Sequence, residues 1–207
     1  MDPRFKHPFF AILGGPSGSG KSYFVVYFLK NSKELCDTNF KEIFWHYSIW
    51  QPDLNLKGVT FIQGLPDSNI DPSYPRLFII DDLMRESSNS SVIIDLFTKG
   101  CHHKNISVFF ITQNIFYKGK NQRDLSLNAH YLILFKNPRD KAQIRQLAQQ
   151  MCPQNFKFLT EIFSDATSKA HGYLLIDLKQ STPENFRFRT NIFPGVGGGM
   201  IVYIPRK

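Results

Sequence analysis

The sequence predicts an α/β fold with a mainly parallel central sheet flanked by helices, and three observations predict it. Short apolar runs dense in Phe, Ile, Leu and Val recur without polar alternation, the mark of strands covered on both faces. Segments with helical signals separate several of these runs, and strand–helix alternation implies a parallel sheet. The stretch Gly15-Pro16-Ser17-Gly18-Ser19-Gly20-Lys21-Ser22 joins the first run to the first helical segment, as a phosphate-cradling turn requires.

Residues 9–14 read as the first strand and 22–31 as the helix after the glycine loop. Runs 43–47 and 59–63 are the next strands, followed by 77–81, which ends in Asp81 with a second acid, Asp82, directly after it. After the serine-rich stretch 87–91, residues 91–99 read as a helix, and 108–112 and 131–135 as two further buried strands. The clearest helix is 138–151. Asn137 is placed to cap it, Pro138 suits its first position, and Ile144, Leu147, Ala148 and Met151 share one apolar face. Pro153 ends it, and a second helix, 156–166, precedes Gly172. Runs 173–178 and 186–192 are the last strands. Four glycines between Gly195 and Gly199 make the tail 194–200 a flexible linker in preference to a subunit contact. With no repeat and no visible boundary, the expectation is a single domain over 1–207, its core about 9–178, its C-terminal strand and glycine-rich tail 186–207.

Composition sets the outer limits. A chain of 207 residues buries about 70% of its unfolded surface and needs no metal or disulfide staple. Hydrophobic residues at 42% and charged residues at 20% exclude wholesale disorder. No apolar run reaches the roughly 18–20 residues that cross a bilayer, and the first ten residues lack a signal peptide's apolar core. Cys36, Cys101 and Cys152 form no disulfide framework. An intracellular soluble protein without a membrane partner is expected. Charge divides unevenly: residues 1–98 hold 9 Lys and Arg against 11 Asp and Glu, and 99–207 hold 16 against 6. The basic half suits a polyanion, although a solvated surface has the same composition.

The glycine loop matches G-x-x-x-x-G-K-[ST] at every position. Its glycines let successive N–H groups turn inward onto phosphate oxygens, and the helix N-terminus adds partial positive charge there. Gly15, Pro16, Ser17, Gly18, Ser19, Gly20, Lys21, Ser22 and Tyr23 are therefore the nucleotide-binding candidates, with ATP as the ligand. Lys21 reaches the β- and γ-phosphates and Ser22 ligates Mg²⁺. Leu77-Phe78-Ile79-Ile80-Asp81-Asp82 reads as a Walker B element, Asp81 holding the Mg²⁺ shell and Asp82 orienting the attacking water. Two adjacent carboxylates beside a covered strand need a cation to offset their repulsion. A strand ending in a turn aspartate is the plainer reading, and the upstream loop weighs against it.

Ser22 and Asp81 stand 59 positions apart with two strand-like runs between them, whereas one crossover needs only about 30 residues. That leaves room for a strand inserted between the loop's strand and the acid-bearing strand, as in ATPases with an additional catalytic carboxylate. Gln113 follows the run 108–112, and ligands sit beyond the carboxyl ends of strands in such sheets. Its amide lands near Asp82 and the γ-phosphate as a sensor of hydrolysis, or else marks an ordinary strand-terminal turn.

Taken together, GGPSGSGKS, FIIDDL, ISVFFITQN and NQRDLSLNAHYLILFKNPRD resemble the DNA-packaging ATPases of poxvirus-like viruses and Polinton (Maverick) elements, within the FtsK–HerA superfamily. The resemblance spans about 9–151 and is most specific over 106–140. It implies a RecA-like core, a homo-oligomeric ring, and ATP hydrolysis coupled to moving double-stranded DNA into a capsid. A capsid or portal protein would be a partner, in the host nucleus or a cytoplasmic virus factory. Carried over by motif, Lys21, Asp82 and Gln113 are catalytic, and Ser22 and Asp81 hold the metal. The superfamily often has Glu where this chain has Asp82, which leaves a role open for Glu86. Arg123, in the loop past the sensor strand, is the arginine-finger candidate, with Arg139 and Arg145 as competitors and a surface or DNA contact as the plainer account.

Between Ile115 and Arg145 seven cations (Lys118, Lys120, Arg123, Lys136, Arg139, Lys141 and Arg145) face only Asp124 and Asp140, a distribution suited to phosphate contacts that read no bases. Cys101-His102-His103 lacks a second ligand pair, so a polar loop accounts for it better than zinc. Trp45 and Trp50 have no assignable chemistry. Two rivals stay open: a small-molecule P-loop kinase, and a nucleotide-gated binding module without sustained turnover.

Overall fold

A computed structural model describes residues 2–49, 56–67, 70–83, 104–115, 127–195 and 198–205. β1 (Phe10–Gly14) is buried along its whole length and runs through the glycine loop into α1 (Lys21–Lys30). The short α2 (Ser32–Leu35) leads to β2 (Glu42–Tyr47) and β3 (Thr60–Gln63). β4 (Arg76–Asp81), β5 (Ile106–Thr112) and β6 (Tyr131–Phe135) follow, each buried throughout. Next come α3 (Ala142–Met151), α4 (Phe156–Ala166) and β7 (Tyr173–Asp177). A 3₁₀ turn, Glu184–Phe186, precedes β8 (Phe188–Thr190) and β9 (Ile201–Tyr203).

These strands form one sheet in the order β3-β2-β4-β5-β1-β6-β7-β8-β9. Every pairing from β3 to β6 is parallel, and β7, β8 and β9 add on antiparallel. The mainly parallel α/β fold predicted from the apolar runs is thus observed. The alternate side chains of each strand feed two cores. On one face Phe24, Val25 and Phe28 of α1 meet Leu13, Ile79 and Phe109, with the Phe28 and Phe109 rings 4.8 Å apart. On the other, Leu147 and Ala148 of α3 and Leu159 and Ile162 of α4 cover Phe10, Ile12, Ile80 and Phe110.

Several expectations need correction. The strand between β1 and β4 is not drawn from the two runs that precede Asp81. It is β5, the sensor strand, while β2 and β3 lie beyond β4. β3 is a sheet edge and mostly exposed instead of covered on both faces. The helix expected from 138 begins at Ala142 because Asn137 closes a turn of its own: its Oδ1 accepts from the Arg139 and Asp140 amides at 3.1 and 3.3 Å. Asp140 Oδ1 then accepts from the Ala142 amide at 3.0 Å. The strand expected over 186–192 shrinks to three residues. Phe186 is held in the 3₁₀ turn by the hydrogen bond its backbone N–H donates to the Pro183 carbonyl, and Asn191 turns out of the strand at φ 51°. The glycine-rich stretch joins β8 to β9, a strand not foreseen, as an antiparallel connection. The helix expected over 91–99 lies outside the described residues, as do Trp50, Glu86, Cys101, His102, His103, Lys118, Lys120 and Arg123.

Candidate functional site

Strand register brings the site residues to one level. Gly14 of β1 pairs with Thr112 of β5, and Asp81 of β4 pairs with Ile111. The glycine loop, Gln113 and the two acids therefore leave the same rim of the sheet side by side. Gly15, Pro16, Ser17, Gly18 and Ser19 complete the turn between β1 and Gly20, the residue that opens α1. Gly20 has φ 104°, where an L side chain is strained, and a Cβ there would crowd the His171 side chain at 3.0 Å. A Cβ on Gly15 would come within 2.7 Å of Phe135 Cβ. No side chain caps α1, which leaves the first-turn amides of Lys21, Ser22 and Tyr23 free for an anion.

Lys21 is buried, and its ammonium donates to the Gly15 and Pro16 carbonyls at 2.6 and 2.8 Å. Burial pushes its pKa down, and the nearby Asp81 and Asp82 charges act against that. The Ser22 hydroxyl donates to Asp81 Oδ2 at 3.4 Å. Asp81 is 6% exposed, and burial pushes its carboxyl upward. A donor effect from Trp45 opposes that shift, the Asp82 charge adds to it, and Lys21 and Ser22 pull it back. Asp82 lies just past β4 with φ 53°, exposed, and the Gln113 amide donates to both of its carboxylate oxygens at 3.4 Å. Together Ser17, Lys21, Ser22, Asp81, Asp82 and Gln113 border a cavity of about 310 Å³.

The Ser22 hydroxyl and the Asp81 carboxylate are hard oxygen donors, and Asp81 is a buried acid beside a second acid. That set fits Mg²⁺, which binds through one or two carboxylates and completes its shell with water and phosphate oxygens. Among the described residues no group of three or more His, Cys, Asp or Glu could hold a metal ion, so a cation here depends on oxygens that arrive with a ligand.

Sequence reasoning brought Lys21, Ser22, Asp81, Asp82 and Gln113 together, and the structure places all five around this cavity. Arg123 lies outside the described residues. Arg139 and Arg145 are exposed, Arg145 lining a separate cavity with Gly14 and Gly15. Two neighbours were missed. Trp45 on β2 is 1% exposed, and its indole N–H, near Asp81 across the strand pair, favours the charged carboxylate without forming a hydrogen bond of its own among the described residues. His171 packs against Gly20 from the turn between α4 and β7. Nothing in the sequence signals either contact, since both arise between segments far apart in the chain.

No family model and no curated protein sequence matches this chain. Solved structures do. The genome packaging NTPase B204 from Sulfolobus turreted icosahedral virus 2, in complex with ATP-gammaS, is similar at 13% identity and TM-score 0.56, over 99% of this chain and 99% of that one. Its complex with AMP matches at 15% identity and TM-score 0.54, over 88% and 96%. The crystal structure of B204, the DNA-packaging ATPase from Sulfolobus turreted icosahedral virus, matches at 14% and 0.56, over 97% and 100%. At these identities the likeness establishes a shared fold over nearly the full length of both chains.

Proposed function

We propose that this chain is an ATP-hydrolysing motor that moves double-stranded DNA, a genome-packaging ATPase of the FtsK–HerA type. The observation that carries the reading is the meeting, around one cavity, of an uncapped phosphate loop, the Ser22–Asp81 pair and the Asp82–Gln113 pair. The fold shared with a protein described as a DNA-packaging ATPase supports the packaging part, as does the motif resemblance to poxvirus-like and Polinton enzymes. The excess of cations after residue 98 supports a nucleic-acid partner.

In this reading the loop amides bind the phosphates, and Lys21 exchanges the Gly15 and Pro16 carbonyls for β- and γ-phosphate oxygens. Ser22 and Asp81 would hold Mg²⁺, which neutralises charge on the transferred phosphoryl group. Asp82 orients the attacking water in line with the γ-phosphate. Gln113, bonded to Asp82, registers loss of the γ-phosphate and passes the change along β5. Copies form a homo-oligomeric ring around the duplex, with a capsid or portal protein as partner and the host nucleus or a virus factory as the setting. An arginine from a neighbouring copy (Arg123, Arg139 or Arg145) completes the charge stabilisation.

Steady-state ATP turnover with and without duplex DNA, together with the mass of the assembly, tests this. Turnover that DNA raises, in a multimer, and that Lys21→Ala abolishes without unfolding the protein, is expected. Phosphate transfer to a metabolite without DNA stimulation would instead identify a kinase. Tight ATP binding with negligible turnover would identify a binding module.

A further inference from the structure

Resting on the reading of Asp81 as the Mg²⁺ residue, we propose that Trp45 is its positioning residue. The indole N–H fixes one oxygen of the Asp81 carboxylate and so turns the other toward the metal's shell. The sheet brings the two side chains together. Trp45 of β2 pairs with Ile79 of β4, and Tyr47 pairs with Asp81, so Trp45 and Asp81 point to one face as diagonal neighbours. A long aromatic side chain spans that diagonal. Trp45 packs in the layer beneath α1, the helix that carries Ser22.

The indole N–H is in want of an acceptor. Trp45 is buried, its ring stacks on Phe61 at 5.9 Å between centroids and 28° between planes, and its Nε1 makes no hydrogen bond among the described residues. Donors shut off from water are nearly always paired in native interiors, so an unpaired one calls for a partner that another state supplies. Asp81 has the capacity to be that partner. Its Oδ2 accepts from the Ser22 hydroxyl at 3.4 Å, a long contact, and its Oδ1 accepts nothing among the described residues. The indole also favours the charged carboxylate, against the burial that disfavours it. His46, next along β2, leaves a ring nitrogen unpaired as well, but it stacks on Phe78 on the opposite face of the sheet and cannot serve the site. Donors behind a metal-holding carboxylate set the direction of its oxygens, and their loss weakens the metal without touching it. Ser22 from the helix and Trp45 from the strand hold Asp81 in this way from two sides.

The chain has two tryptophans, so in Trp50→Phe the single indole N–H signal of a proton–nitrogen NMR spectrum belongs to Trp45. Mg²⁺ added with a non-hydrolysable ATP analogue is expected to move that signal downfield, as a newly formed hydrogen bond does. The analogue in EDTA is expected to leave it in place, and Asp81→Ala, which offers no acceptor, to remove the movement. Trp45→Phe keeps a ring against Phe61 and lacks the donor. It is expected to weaken Mg²⁺ at the analogue-bound site by about 10–100-fold while the analogue binds as before in EDTA. A signal that stays in place with Mg²⁺, or unchanged Mg²⁺ affinity in a folded Trp45→Phe protein, would overturn the proposal. If Trp45→Phe does not fold, the signal in Trp50→Phe decides alone. Loss of Mg²⁺ binding in Asp81→Ala together with full Mg²⁺ binding in Trp45→Phe leaves the metal reading standing and removes only the role of Trp45. If Asp81→Ala binds Mg²⁺ as the wild type does, the metal reading fails and the proposal with it.

Discussion

Asp82 occupies a left-handed backbone position, φ 53°, which aspartate and asparagine enter more readily than glutamate. The short acid at this point of the motif is thus matched to the turn that carries it. Asp82→Asn suits the same backbone, so it is expected to keep the fold and ATP binding while turnover falls by about 10²–10⁴, measured as phosphate release beside ATP affinity. Asp81 makes the opposite compromise. Burial raises its carboxyl pKa above the unfolded value, so the charged form costs stability as pH rises from the unfolded carboxylate range through the folded pKa. Asp81→Asn is expected to raise the unfolding midpoint of the nucleotide-free protein at neutral pH and to abolish Mg²⁺-dependent turnover. That gain disappears in acid, where Asp81 is protonated in both states; thermal unfolding across a pH series checks the sign. At this scale Lys21, Ser22, Asp81, Asp82 and Gln113 were legible because each belongs to a local motif. Trp45 and His171 were not, because their partners are 36 and 151 positions away in sequence terms only the fold can close.

Helices show how local chemistry sets boundaries. The period of Ile144, Leu147, Ala148 and Met151 foretold α3, and all four reach the core, but its start depended on which group Asn137 bonds. Side-chain competition for nearby amides is decided by geometry that residue types alone do not specify. α4 was bounded correctly at both ends. Asn155 caps it, accepting from the Phe158 amide at 3.4 Å, and Asn155→Ala is expected to cost about 1 kcal/mol in urea unfolding. For β3 the apolar run was read as covered, whereas its place at the sheet edge leaves it largely in solvent.

Across the whole molecule, the antiparallel extension is tied back by one buried ion pair. Arg189 on β8 donates to Asp177 on β7 at 2.7 Å and to the Pro3 carbonyl at 2.6 Å, and both charged side chains are less than a tenth exposed. Arg189→Leu leaves Asp177 buried without its cation and is expected to cost about 3–5 kcal/mol, read as a lower urea midpoint at unchanged slope. Sequence by itself determined the α/β class, most of the strands, the phosphate loop and the two acids, because each is written in contiguous residues with a short-range physical signature. Tertiary structure alone decided that β5 lies between β1 and β4, that β9 ends the sheet, and that a second cavity lies against the start of α1. Strand order and cavity walls follow from which distant segments exclude water together, and that free energy belongs to pairs of surfaces that no single stretch of chain contains.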